Sequence, residues 1–188
     1  MPQGVNDVAV VGGGPAGRSA AILLARAGLR VVVVDAEESP LFRVPRVANF
    51  PARPDAPSGP DLLLAMREQA EALGARFVFG RVTAVRDQGG VFVLELEDQD
   101  PLFAEWVLLA VGRELELVAE LGLEREGSFV ATDAQGRTSY PRVYAAGRVR
   151  GLVPEHAATS AGDGFWAAVN LVSDLRGEPF FDHEGAGD

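Results

Sequence analysis

The chain has 188 residues, no Cys, and a Lys+Arg total of 17 that is entirely Arg. Those two zeros exclude a thiolate nucleophile, a redox dithiol, a disulfide, an iron–sulfur cluster, a Schiff-base amine and a P-loop lysine. A net charge of −10 opposes binding to nucleic acid or an anionic membrane surface through bulk electrostatics, and two His are too few for an ordinary His-based metal site.

The length fits one domain with one core, predicted over residues 1–181 with a flexible tail at 182–188. Hydrophobic residues at 47% and charged residues at 23% are ordinary globular values. No apolar run approaches a bilayer span, and no positive side chain precedes Arg18, so the start does not read as a secretory signal. Cytoplasm is the expected compartment. Any redox work has to be carried by a bound group.

In chain order, residues 7–11 form an apolar run suited to a strand buried on both faces. The run Gly12-Gly13-Gly14-Pro15-Ala16-Gly17 follows, with Pro15 suited to a first helical turn. Residues 19–27 are Ala/Leu-rich and helical, with Gly28 as the stop, and 30–34 make a second strand ending at Asp35. This is a βαβ unit. Residues 36–60 hold six Pro and read as a long loop, of a length that is usually functional or disordered. A helix over 61–73 and a strand over 75–79 follow. Three strands at 82–86, 91–97 and 103–109, with a turn at 98–101, make an antiparallel meander. Residues 113–140 are mostly loop, with a short helix near 115–121 and a short strand near 129–131. A last strand over 142–146 precedes a long helix, Ala157–Arg176, interrupted only at Gly162 and Gly164.

Gly12-x-Gly14-x-x-Gly17 sits between a predicted strand and a predicted helix, the context this weak motif requires. Gly12 permits the tight turn, Gly14 lets a pyrophosphate approach the backbone, and Gly17 lets the helix pack on the strand. The helix start, with Pro15 and Ala16, offers free N–H groups and a positive dipole end. Asp35 lies 18 residues after Gly17, where a carboxylate accepts from ribose hydroxyls and repels a 2′-phosphate. The plain alternative is a glycine-rich turn that holds no ligand. The motif by itself leaves FAD and NAD both open.

Four further segments resemble the thioredoxin reductases of the pyridine-nucleotide-disulfide reductase superfamily. They are Asn49-Phe50-Pro51, Ala110-Val111-Gly112, the run from Thr138 to Ala145-Ala146-Gly147, and His156-Ala157-Ala158-Thr159 to Gly164. The resemblance implies an α/β fold, a Rossmann-like three-layer FAD-binding domain with a parallel sheet and an antiparallel three-stranded β-meander. It implies FAD as cofactor. Gly12, Gly14, Pro15, Ala16 and Gly17 would hold the pyrophosphate, Asp35 and Ala36 the adenosine ribose, and Val82 the adenine. Ala110, Val111, Gly112, Gly147 and Arg148 would line the site, with Asn49, His156 and Ala157 at the flavin. There the dipole of the last helix would stabilise negative charge on the reduced pyrimidine edge.

Departures from the pattern matter as much. Between Gly112 and Tyr140 lie 27 residues, fewer than the roughly 30 of one βαβ unit, so the family's NADPH domain is not inserted there. The Cys-x-x-Cys pair is absent. Arg148 stands where the family has Asp, and either turns onto the pyrophosphate or faces solvent. Arg18 replaces an apolar residue and is expected to be an exposed helix residue. His156 is the one weak catalytic candidate, through hydrogen bonding or proton delivery, against the plain reading of a helix-terminal His. His183 is expected to be inert. Phe165 and Trp166 read as core or dimer-interface residues rather than flavin-stacking groups.

The leading expectation is therefore an FAD-binding oxidoreductase. Its electrons would come from NAD(P)H or a separate protein, without a dithiol of its own. Alternatives are a non-catalytic FAD-binding, sensing or partner-docking module, and an NAD-binding single Rossmann domain. The resemblance also implies a homodimer.

Overall fold

The N-terminal apolar run forms β1, Val5–Val11, and the glycine turn after it delivers the chain into α1, Pro15–Arg26, with Pro15 in its first turn. A computed structural model describes residues 4–112, 115–152 and 156–181. The expected tail 182–188, with His183, lies outside the described residues. Gly28, at φ +83°, closes the turn after α1 and leads to β2, Val31–Asp35, buried along its whole length. Helix α2, Gly59–Ala72, starts at Ser58, whose hydroxyl accepts from the Asp61 N–H at 3.2 Å and donates to the Asp61 carboxylate at 2.6 Å. That reciprocal pair satisfies one of the helix's unpaired N–H groups.

Strands β3, Arg76–Phe79; β4, Val82–Asp87; β5, Phe92–Leu96; and β6, Gln99–Leu109, follow in order. The expected turn at 98–101 is mostly strand. The reversal is tighter, with Asp98 at φ +55°, a conformation Asp tolerates, so β6 begins at Gln99. Two short strands, β7 (Arg125–Glu126) and β8 (Phe129–Val130), pair with each other, and β7 has no counterpart in the expected elements. Strand β9, Val143–Ala145, precedes α3, Ala157–Arg176. The expected interruptions at Gly162 and Gly164 do not occur, and α3 is continuous.

The main sheet runs β3-β2-β1-β6-β5-β4, with β9 beside the end of β6. Strands β3, β2, β1, β6 and β9 are parallel, while β4, β5 and β6 form the antiparallel meander. Strand β6 belongs to both: Ala104 pairs with Phe92, and Val107 to Leu109 pair with Val143 to Ala145.

Alternation along the strands separates two cores. Val8, Val10, Val31, Val33 and Leu108 pack with α1 and α3. Ala9, Val11, Val32, Val34 and Leu109 pack with Val85, Phe92 and Leu94 of the meander. The result is three layers: helices, parallel sheet, meander. The loop 36–60 is tied down, with Val47 N–H to the Pro57 carbonyl at 2.7 Å and Gly59 N–H to the Val44 carbonyl at 2.8 Å. Val47 also packs on Leu62, Met66 and Ala161. Because the parallel strands all end on one side, the turns after β1, β2, β6 and β9 meet there.

Candidate functional site

Those turns border a cleft of about 410 Å³, within the usual range for small-molecule sites. Gly12, Gly14, Pro15 and Ala16 line it from the first turn, Asp35 and Ala36 from the end of β2, and Ala110, Val111 and Gly112 from the end of β6. Gly147 and Arg148 follow β9, His156 and Ala157 open α3, and Val82 starts the meander. Two expected residues do not line it. Gly17 lies beneath the turn, and Asn49 stands behind His156.

Gly12 has φ +108°, and a Cβ there would lie 2.5 Å from the Ala110 carbonyl oxygen. Its N–H donates to the Val34 carbonyl at 2.8 Å, which pins the turn between β2 and β6. A Cβ on Gly17 would stand 1.9 Å from the Gly12 carbonyl oxygen, so only glycine lets α1 sit this close to β1. Gly14 differs. The nearest atom to a Cβ there is Ser39 Oγ at 3.6 Å, so its missing side chain leaves open space at the helix start. That cradle, with the exposed N–H groups of the first turn, fits a pyrophosphate.

Asp35 is 3% exposed. Its Oδ2 accepts from the Arg18 guanidinium at 2.7 Å, and its Oδ1 accepts from the Glu37 N–H at 2.8 Å. Two of the roughly four acceptor directions of a carboxylate are thereby used among the described residues, which leaves it able to accept from hydroxyl donors in the cleft. Gly13, at an unassigned position of the motif, matters here. A Cβ on it would fall 2.0 Å from Asp35 Cγ, so glycine admits the carboxylate over the turn.

Arg18 corrects the expectation of an exposed side chain: it is 3% exposed. Besides Asp35 it donates to the Gly13 carbonyl at 2.5 Å and to the Leu63 carbonyl at 2.6 Å, and its Cζ lies 5.5 Å from the Phe77 ring centroid. Burial pulls its pKa below the ordinary value, against the Asp35 charge that favours the cation. The partners come from α2, β2 and β3, so position along α1 alone could not reveal them.

At the other end, His156 precedes α3, and its N–H donates to Thr159 Oγ1 at 3.2 Å. Its ring Nδ1 lies 3.3 Å from the Asn49 amide nitrogen. Arg148 is half-buried in the cleft wall, which disfavours the reading in which it faces bulk solvent. The Gly147 N–H donates to Asp163 Oδ2 at 2.6 Å, and Asp163 Oδ1 accepts from Arg150 at 3.3 Å. Sequence reasoning assigned no role to Gly13, Asp163 or Arg150. Each acts through a partner distant in the chain, or at an unspecified motif position.

Phe165 and Trp166 are exposed on α3, 41% and 48% respectively, which removes the core reading for both. Among the described residues no group of three or more His, Asp or Glu is placed to hold a metal, and no helix is long and apolar enough to cross a membrane.

Two family models match the chain. One, described as pyridine nucleotide-disulphide oxidoreductase, covers residues 51–164, and one described as FAD binding domain covers 6–48. A thioredoxin reductase of Aquifex aeolicus is 45% identical over 86 residues, 45% of this chain and 27% of that protein. One from Peptoclostridium acidaminophilum is 32% identical over 112 residues, 58% of this chain and 35% of that protein. The matched stretches thus span about a third or less of those relatives. Among solved structures, a thioredoxin reductase from Gloeobacter violaceus superposes with a TM-score of 0.90 at 18% identity, covering 98% of this chain and 100% of that one. A ferredoxin-flavin thioredoxin reductase from Clostridium acetobutylicum superposes with a TM-score of 0.81 at 18% identity, covering 92% and 98%.

Proposed function

The chain belongs to the pyridine nucleotide-disulphide oxidoreductase family, and from that premise we propose that it works as a thioredoxin-reductase-like flavoprotein fed with electrons from outside its own fold. Its cofactor is FAD. The observation that supports the proposal is the cleft itself, where the glycine turn, Asp35 at the end of β2 and the start of α3 meet although the chain contains no Cys.

When bound, FAD supplies the electron exchange that the side chains lack. The residues bind and orient it. The start of α1, open at Gly14, takes the pyrophosphate, with Arg148 in the wall beside it as a charge partner. Asp35 and Ala36 take the adenosine ribose, and Val82 the adenine. The start of α3, at His156, Ala157 and Ser160, turns its positive dipole end into the cleft, where it favours negative charge. His156, held by Asn49, is the candidate for proton exchange at that end.

The donor is either a reduced nicotinamide nucleotide that diffuses in or a separate protein. Anaerobic mixing of the FAD-loaded protein with NADH, NADPH and dithiol-containing proteins tests this through loss of flavin absorbance. Bleaching by one donor upholds the proposal. No bleaching by any of them supports instead a non-catalytic FAD-binding or partner-docking module, the reading that the missing Cys pair favours. We further propose a homodimer with cytoplasmic residence. Light scattering checks the first, with a monomer counting against it, and cell fractionation the second.

A further inference from the structure

Arg18 joins the glycine turn, α2 and the end of β2 through three hydrogen bonds and lies over the Phe77 ring of β3, at 3% exposure. Burying an ion pair costs desolvation that its attraction often fails to recover, and apolar residues of similar shape are frequently as stable. Stability is therefore a weak reason for an arginine here. Location is a stronger one. The carboxylate it holds lines the cleft, with Oδ2 fixed by Arg18, Oδ1 fixed by the Glu37 N–H, and Gly13 leaving room for it.

The surrounding charges do not replace Arg18. Glu37 and Glu38 follow Asp35 in the same loop, and Glu38 pairs with Arg81 at the start of the meander. Arg67 of α2 acts against the charge of Arg18, and Glu37 acts in its favour. Without Arg18, the Asp35 carboxylate loses the guanidinium that fixes Oδ2 and keeps the Glu37 N–H on Oδ1.

We propose that Arg18 is a positioning residue for the adenosine end of the cofactor, holding the Asp35 carboxylate aimed at the ribose hydroxyls. The proposal rests on the assignment of the cleft to FAD and is independent of electron donor and turnover. A carboxylate released from the guanidinium is free to turn from the ribose, so the preference for a ribose with both hydroxyls depends on Arg18.

The test compares apoprotein affinity for FAD and for its 2′-deoxyadenosine analogue, by flavin fluorescence at neutral pH. The proteins are wild type, Arg18→Met, Arg18→Lys and the double variant Arg18→Met with Asp35→Asn. Wild type is expected to prefer FAD. In Arg18→Met the preference should fall about tenfold or more, the scale of one hydrogen bond to a charged group. Arg18→Lys, which restores the charge without the fork, should recover part of it. The double variant should show no further loss of preference beyond Arg18→Met. Arg18→Met that keeps the wild-type preference overturns the proposal. If Arg18→Met does not fold, Arg18→Lys decides: a reduced preference upholds the proposal, and the full wild-type preference overturns it. Wild type that binds no FAD overturns the cofactor assignment and the proposal together, whereas FAD binding without bleaching touches only the electron-transfer reading.

Discussion

Gly12 and Gly14 are one residue type used for unlike reasons. At Gly12 a side chain meets a backbone carbonyl at 2.5 Å in a left-handed conformation, whereas at Gly14 it meets only open cleft. Gly12→Ala is therefore expected to lower the thermal midpoint of the apoprotein as well as abolish FAD binding. Gly14→Ala should leave that midpoint nearly unchanged while weakening FAD at least tenfold, since its Cβ takes the space proposed for phosphate. Calorimetry with flavin titration separates the two.

Further from the cleft, buried Tyr144 donates to Asp174 at 2.5 Å, and Arg137 grips the same carboxylate at 2.6 and 2.7 Å. Arg137, and to a lesser degree Tyr144, hold Asp174 below its ordinary 3.8, against the effect of burial. Burial and the Asp174 hydrogen bond push the Tyr144 phenol up. A lowered folded-state pKa contributes stability that is fully present above the unfolded value and lost as pH falls through the folded one. Acid unfolding below pH 3.8 should therefore be less steep in Asp174→Asn than in wild type, by denaturant midpoints across pH 2–6.

At the scale of elements, the crossing of α1 and α3 carries the site, because Ala16 and the first turn of α3 both border the cleft. Two glycines on α3 differ there. A Cβ on Gly164 would lie 2.0 Å from the Ala16 carbonyl oxygen, while one on Gly162 meets nothing within 4 Å. Gly164→Ala should cost about 1–3 kcal/mol by forcing the helices apart. It should also weaken FAD. Gly162→Ala should instead stabilise by about 0.5–1 kcal/mol, as an exposed helical glycine loses more backbone freedom than alanine. Urea unfolding of the pair reads both signs. Helix α3 was legible from its composition to the residue, since Ala and Leu periodicity and Gly177 mark it locally. That its glycines pack rather than interrupt was not legible, because the reason lies on another helix.

The whole molecule is a sheet with a core on each face. Leu171 belongs to the helix side and Phe92 to the meander side, both fully buried. The layers share β1, β2 and β6, so neither core can form without the strands that the other packs against. Leu171→Ala and Phe92→Ala are expected to cost about 2–5 and 3–5 kcal/mol. Each should leave one cooperative transition, and two separable transitions in either variant would show that the faces unfold independently. The meander was readable because its strands alternate. The layering came from resemblance, since alternation shows that a strand has two faces but not what covers each.

Local information was enough for the glycine turn, the acid at the end of the second strand and the order of the main elements, because turn sterics and side-chain period act between near neighbours in the chain, whereas FAD came from the family resemblance. Tertiary structure alone decided which of these residues touch. Arg18 looked like a helix-surface residue because its fate depends on Leu63, 45 positions away, and on a carboxylate and a ring brought in by two strands. Burial is a property of the assembled neighbours, and a charged side chain reveals its partner only when the fold has closed around it.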